Sequence, residues 1–423
     1  MKYQPRVVDR LLDEVFGDLA AIAIEGAKGV GKTATATQRA QTVLALNQQA
    51  SREMVKANPG FVAQLPPPVL IDEWQLEPQV WEQVRVEVDR NSAGGRFLLA
   101  GSASPDPGVR IHSGAGRIVR LVMRPMTFSE RGVYQPEVSF KQILGGEKPA
   151  VEGRSEVELA NYTSEILRSG FPGIRQLPQR ARELQLDGYL ARIVDHELVE
   201  NAIEVRRPAA LRAWLTAYAA ATSTDAAYTS ILDAATPGEG SKPARQTADI
   251  YRDHLSRIFI LDPLPAWTPT FSPLKRLTKT PKHHLVDPAL AARLVGVGQT
   301  GLLLGQGGRV NPATGTWLGA LFESLVTQAV RVYAEAAGAN IFHLRTQSTE
   351  REIDLIVERA DLGVVAIEVK LASAINDADV RHLNWLQDQL GERVIDKIVI
   401  NTGEFAYRRD DGVAVIPLAL LGP

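Results

Sequence analysis

Three groups of residues in this chain have the types and spacing for chemistry. The first is Gly26-Ala27-Lys28-Gly29-Val30-Gly31-Lys32-Thr33, an ungapped match to G-x-x-x-x-G-K-[ST]. Glycines let such a loop wrap closely, so that successive backbone N–H groups face an anion. Lys32 would reach the terminal phosphates of a nucleotide, and the Thr33 hydroxyl would hold Mg²⁺. The second group is Asp72-Glu73, which follows the aliphatic run Val69-Leu70-Ile71. A buried strand delivering two carboxylates beside a phosphate loop is a Walker B pattern. Asp72 would hold Mg²⁺, and Glu73 would orient or deprotonate the attacking water. The third group comprises Glu323, Asp354, Glu368 and Lys370 in the last hundred or so residues. Residues two apart on a strand share a face, so Glu368 and Lys370 in VVAIEVK point the same way. With Asp354 on a neighbouring strand, Asp354 and Glu368 could share one Mg²⁺ through oxygen ligands. Lys370 would then act on a metal-bound water, with Glu323 as an outer ligand.

These groups need elements to position them. The apolar run Ala21–Ile24 reads as a strand before the phosphate loop, and a helix opens at Lys32, continuing to Gln41 with Val43–Leu46 as its extension or a turn. Arg96–Ser102 reads as another buried strand, ending in the small polar residue Ser102, a candidate sensor of the γ-phosphate. Arg117 and Arg110 are candidates for stabilising charge on the transferring phosphoryl group, or are solvated surface arginines. Gln246–Ile260 has apolar residues at helical spacing, and Thr236–Pro243 is punctuated as a loop. The run Lys275–His284, with Lys275, Arg276, Lys279 and Lys282, could sit on phosphates. Leu318–Ala336 reads as an amphipathic helix carrying Glu323, followed by three extended segments and a helix bearing His382 and Gln387.

Composition narrows the classes. A chain of 423 residues implies about two to four domains. The net charge of -2 gives no global attraction to nucleic acid, so any such contact needs a local patch. With 0 cysteines, disulfides, thiol catalysis and Cys-ligated metals are excluded. The N-terminus is too acidic for a signal peptide, and no apolar stretch approaches bilayer length. The expected location is cytoplasmic, with no membrane partner.

GAKGVGKT, LIDEWQ, LLAGSAS and SGAGRIVRLVMRPMTFSE together resemble the ordered motifs of a bacterial and archaeal AAA-like P-loop ATPase family with a C-terminal DUF4143 domain. The resemblance covers nearly the whole chain. Arg124-Pro-Met-Thr-Phe-Ser-Glu130 is similar to the family's PLSFxE signature, and YTSEILRSGFPGIRQ to its GGFPE lid turn, with Ser169 and Gly173 in place of the first Gly and the Glu. The resemblance implies an α/β chain: an AAA-like ATPase core over residues 1–150, a helical lid over 151–204, a winged-helix-like module and linker over 205–310, and a PD-(D/E)XK nuclease-like domain over 311–423. It implies ATP and Mg²⁺ as cofactors and Mg²⁺-dependent ATP hydrolysis. DNA is an implied partner through the winged-helix-like module and the C-terminal domain. Whether the nuclease-like site cuts nucleic acid or serves as an inactive partner-binding module stays open, since a fold outlasts its chemistry.

Overall fold

In the computed structural model, residues 3–102, 115–197, 208–235, 245–267, 280–304, 317–346 and 351–423 are described. Arg110, Thr236–Pro243, Lys275, Arg276 and Lys279 lie outside them. Fourteen strands are present among the described residues: β1 Ala21–Glu25, β2 Thr42–Ala45, β3 Val69–Asp72, β4 Phe97–Gly101, β5 Ile118–Val122, β6 Val138–Ser139, β7 Gly153–Arg154, β8 Asn340–Arg345, β9 Glu352–Glu358, β10 Val364–Val369, β11 Val394–Asn401, β12 Phe405–Arg408, β13 Ala414–Pro417 and β14 Leu421–Gly422.

The first sheet is wholly parallel, in the order β2-β3-β4-β1-β5. Every residue of β1, β3 and β4 is buried, as continuous aliphatic runs in a parallel sheet with both faces covered should be. The phosphate-loop helix Lys32–Thr37 is shorter than its periodicity suggests, and Thr42–Ala45 is the edge strand β2 rather than more helix. Its β-branched Thr42 and Val43 suit a pleated edge better than a helix interior. This is a P-loop NTPase fold, with the loop after β1 and the Asp72 carboxylate at the same strand-end edge.

The second sheet has the order β7-β12-β13-β11-β10-β9-β8. It is mixed: β9 is antiparallel to β8 and β10, whereas β11 is parallel to β10 and β13. The helix Trp317–Ala336 packs on it, and the helix Asp377–Leu390 opens with an Asn376 capping box. Segments distant in sequence complete this layer. Strand β7 pairs with β12, β6 pairs with β14, and Ala266 bridges His343 on the β8 edge. An exposed β8 edge would offer unpaired backbone groups; here Trp267 N donates to His343 O at 2.6 Å and His343 N to Pro265 O at 2.9 Å.

Helix Leu159–Arg168 packs on the helix Trp317–Ala336, and helices Pro172–Arg175 and Gln179–Arg192 reach the phosphate loop through Pro172 near Gly31 and Tyr189 at Lys28 O. Helices Pro208–Ala220, Tyr228–Ala234 and Arg245–Arg257 follow, and two antiparallel bridges, Leu261 with Leu285 and Leu264 with Lys282, close a hairpin behind them. The Ser169-Gly170 turn is held by the buried Asp287 carboxylate, which accepts from Ser169 Oγ at 2.8 Å and Gly170 N at 2.7 Å. Ser169 has φ 68, a positive value that favours glycine.

One ion cluster joins the layers. Arg124, directly after β5, donates to Asp262 at 2.6 Å and pairs with Glu335 of the helix Trp317–Ala336 at 2.5 Å. Asp262 also pairs with Arg331 of that helix. Burial alone would raise the Asp262 carboxyl, but the Arg124 and Arg331 guanidiniums override it and hold it well below the usual carboxylate range. Because that folded value is depressed, the stability it contributes is complete above the unfolded value of about 4 and is lost only as pH falls further. Asp262→Ala leaves two arginines facing each other in the interior, and should destabilise the chain by about 3–5 kcal/mol in urea unfolding at neutral pH.

Candidate functional site

The phosphate loop runs from the end of β1 into the helix Lys32–Thr37, so backbone N–H groups and the helix N-terminus face the same space. Gly26, Gly29 and Gly31 have φ of 151, 84 and 106. A Cβ on Gly26 would sit 2.1 Å from Met123 O, so the loop can only thread past β5 as glycine. Lys32 is buried, and its ammonium donates to Gly26 O at 2.7 Å and Ala27 O at 2.9 Å, curling the loop around itself. Burial lowers the Lys32 amine to about 8, against the pull of Glu73 and Asp72.

The acidic pair arrives as its spacing predicts. Thr33 Oγ1 donates to Asp72 Oδ1 at 2.8 Å, so the two oxygens expected on Mg²⁺ already face each other beside the loop. Burial raises the Asp72 carboxyl above its usual range. Glu73 adopts φ 54, which turns its side chain out of the strand direction. There it accepts from Ser102 Oγ at 3.4 Å and from Gln75 Nε2. Ser102 ends β4, next to β3 in the sheet, which brings the two residues together.

Arg117 does not join this group. In the parallel register Ala21 faces Ile118 and Glu25 faces Val122. Arg117 therefore precedes the start of β5, at the end of the sheet away from the phosphate loop, about 16 Å distant at strand rise. It pairs with Asp89 at 2.8 Å on the surface. That register sets Arg117 apart from the phosphate loop of its own chain.

Several residues around the loop were not singled out by sequence. Arg6 donates to Val30 O at 2.9 Å and Arg124 O at 2.8 Å, while Glu130 accepts from Val7 N at 2.6 Å and Thr127 N at 2.7 Å and pairs with Arg6. The terminal Glu of RPMTFSE thus ties the N-terminal segment to the phosphate loop. Tyr3 reaches Thr35 at 2.9 Å, and a cavity of about 230 Å³ lies between Tyr3, Gln4, Gly31, Thr35, Met126 and Gln176. A larger one of about 490 Å³ is bounded by Lys28, Ser102, Phe171, Tyr189 and Arg192. Tyr189 Oη donates to Lys28 O at 3.1 Å, so the helix Gln179–Arg192 touches the loop itself. A motif match holds no signal for these contacts, because they join segments up to 161 positions apart.

The third group assembles differently from expectation. Asp354 lies on β9 and Glu368 on the adjacent β10, and Lys370 Nζ is 2.9 Å from Glu368 Oε2. Glu323 and Asp354, however, converge on the ammonium of Lys282, at 2.9 Å each. Glu352 completes the set at 3.1 Å. One expectation is corrected: Lys282 is not part of a phosphate-facing basic run but is buried with His283 and His284. Glu323, expected as an outer ligand of a metal between Asp354 and Glu368, faces the Lys282 ammonium. Among the described residues no cluster of three His, Asp or Glu side chains has metal-holding geometry. Burial raises Glu323 and Glu368, whereas Lys282 and Lys370 overcome it at Asp354 and hold that carboxyl low. His382 Nδ1 contacts Glu352 O at 2.7 Å, and Gln387 bonds Gly391 O at the end of its helix, away from the carboxylates.

Gly26→Ala tests the loop geometry: the added methyl must displace Met123, and nucleotide binding by fluorescence titration should be lost while both sheets remain by circular dichroism.

Known proteins bear on parts of this arrangement. A family model described as an AAA domain matches residues 19–132. Two described as domains of unknown function, DUF8612 and DUF4143, match residues 159–301 and 318–421. Uncharacterized proteins of Mycobacterium bovis and Mycobacterium tuberculosis are each 27% identical over 353 residues, covering 82% of this chain and 68% of theirs. Among solved structures, the Aeropyrum pernix ORC2 protein in ADPNP–ADP complexes is 15% identical with a TM-score of 0.28, over 72% of this chain and 96% of that one. Drosophila ORC bound to DNA is 13% identical with a TM-score of 0.21, over 71% and 95%. Overlap at these scores does not amount to a shared whole-chain fold. No helix among the described residues is long and apolar enough to cross a membrane. The chain joins an AAA domain with a P-loop NTPase fold on its N-terminal side to a DUF4143 domain on its C-terminal side.

Proposed function

We propose that this chain binds and hydrolyses ATP with Mg²⁺, and that the nucleotide state of the AAA domain is read by the C-terminal domain. The observation that carries the hydrolytic reading is the convergence of Lys32, the Thr33–Asp72 pair and the Glu73–Ser102 pair at one edge of one sheet. Lys32 and the loop amides from Gly26 to Thr33 bind and orient the phosphates. Thr33 and Asp72 would hold Mg²⁺, which supplies positive charge to the β- and γ-phosphate oxygens. Glu73 orients the attacking water and takes its proton, and Ser102 fixes the Glu73 carboxylate and meets the γ-phosphate side. The Lys32 contacts with Gly26 O and Ala27 O exchange for contacts with phosphate.

The coupling follows from chain connectivity. Met123 O lies against Gly26, the next residue is Arg124, and Arg124 is bonded to Asp262 and Glu335. A loop that changes shape around phosphates pushes on that carbonyl, and the ion cluster carries the displacement to the helix Trp317–Ala336. This favours a regulatory ATPase whose C-terminal domain engages a partner. The second reading is a nucleic-acid-processing enzyme. Supporting it are the adjacency of Asp354, Glu368 and Lys370 on β9 and β10, in the order of a PD-(D/E)XK site, and three helices followed by a hairpin, as in a winged helix.

Lys32→Ala should abolish nucleotide binding. Glu73→Gln should keep binding and lower turnover by about 10²–10⁴-fold, measured as phosphate release. Retention of turnover in Glu73→Gln would contradict its assigned role. DNA that leaves turnover unchanged, with no cleavage in Mg²⁺ or Mn²⁺, favours the regulatory reading. Cleavage lost in Asp354→Ala and Lys370→Ala favours the processing one.

A further inference from the structure

The C-terminal carboxylates are arranged around a lysine that comes from outside their domain. Lys282 and Leu264 exchange both backbone hydrogen bonds, each 2.9 Å, and the Leu264 strand continues to Ala266 and Trp267 on the β8 edge. The hairpin is therefore docked on the C-terminal sheet, and it delivers Lys282 at a fixed depth. Trp267 is fully buried there and donates from its indole to Glu358 at 3.0 Å.

The Lys282 ammonium meets three carboxylates from separate positions: Glu323 Oε1 at 2.9 Å, Asp354 Oδ1 at 2.9 Å and Glu352 Oε1 at 3.1 Å. An ammonium has three donors, and each has an acceptor. Only 2% of the side chain is exposed, where a lysine normally extends its head into water. Burying an ammonium costs several kcal/mol unless it is paired in good geometry, as it is here. A divalent cation on the same oxygens needs about 2.0–2.6 Å to each ligand. It cannot share that point with an ammonium at 2.9 Å, both for space and for charge. On the far side of Asp354, Glu368 Oε1 is buried with no hydrogen-bond partner among the described residues, and it lies 4.0 Å from His382 Nδ1.

We infer that Lys282 is the resident cation of the C-terminal carboxylate cluster, seated on Glu323, Glu352 and Asp354 beside the Asp354–Glu368 strand pair, so that with the hairpin docked the domain takes no divalent cation there. Removing the amine leaves three converging carboxylates and the unpartnered Glu368 oxygen, a set of hard oxygen donors suited to Mg²⁺ or Mn²⁺. This holds whether or not the AAA domain hydrolyses ATP.

The test is Mn²⁺ binding, followed by electron paramagnetic resonance of the free ion, on the full chain carrying Asp72→Asn to silence the ATPase metal site. That background should bind no Mn²⁺ that Asp354→Asn removes. Adding Lys282→Ala should lower Tm, create one Mn²⁺ site per chain, and give a Tm that rises again with Mn²⁺; Asp354→Asn should erase the new site. Mn²⁺ bound by the background and lost with Asp354→Asn overturns the inference. So does a folded Lys282→Ala chain that gains no Mn²⁺ and no thermal shift. Should Lys282→Ala fail to fold, the background measurement still decides, and Lys282→Arg, which keeps the charge, should fold and bind no Mn²⁺.

Discussion

A carboxylate taken out of water must be held by cations, and Asp262 is held by two that belong to different parts of the chain. Arg124 leaves the last strand of the AAA domain, and Arg331 projects from the long helix of the DUF4143 domain. Each arginine is itself buried, so its charge is costly in the interior unless a carboxylate partners it, as Asp262 does for both. The cluster makes the position of each domain depend on the other. Further contacts between segments distant in sequence include β6 with β14 and Ala266 with His343.

The same constraint gives the phosphate loop its reach. Gly26 is pressed against Met123 O, and Arg6 bonds both Val30 O and Arg124 O. The loop, the N-terminal segment and the residue that enters the ion cluster are thus one bonded unit, closed by Glu130. A nucleotide that draws Lys32 away from the carbonyls of Gly26 and Ala27 acts on this unit directly. At the other end stands the helix Trp317–Ala336, which carries Arg331 and Glu335 and also Glu323, the partner of Lys282. On the reading proposed here, one helix connects the nucleotide site to the carboxylate cluster.

The nucleotide site was legible in sequence because its parts are local. Strand, glycine loop and Lys-Thr lie within one stretch, and Asp72-Glu73 follows a recognisable aliphatic run. Ser102 was legible for the same reason, as the polar residue ending a buried strand. The place of Arg117 was not legible because a motif fixes order and not register; the parallel pairing of β1 with β5 puts it at the end of the sheet away from the phosphate loop of its own chain. Val43–Leu46 was misread as helix extension or turn because the strand there, Thr42–Ala45, is four residues at a sheet edge, too short a pattern to separate strand from helix. Lys282 was the deeper failure. Within KRLTKTPKHH it reads as one of several charges that could sit on phosphates, and only the antiparallel bridge with Leu264 turns it inward onto carboxylates 41 and 72 positions away. The contacts that tie Arg6 to Arg124 and Glu130, and Arg124 to Asp262, were invisible because they join positions more than a hundred apart.

The central claim is that nucleotide at the phosphate loop is felt at the ion cluster. Hydrogen–deuterium exchange tests it most directly, on the Glu73→Gln chain with and without ATP and Mg²⁺, read at residues 258–264 and 328–336. The account predicts that ATP changes exchange in both segments together with the phosphate loop. A change confined to the loop, with both segments exchanging identically in the two states, would contradict it.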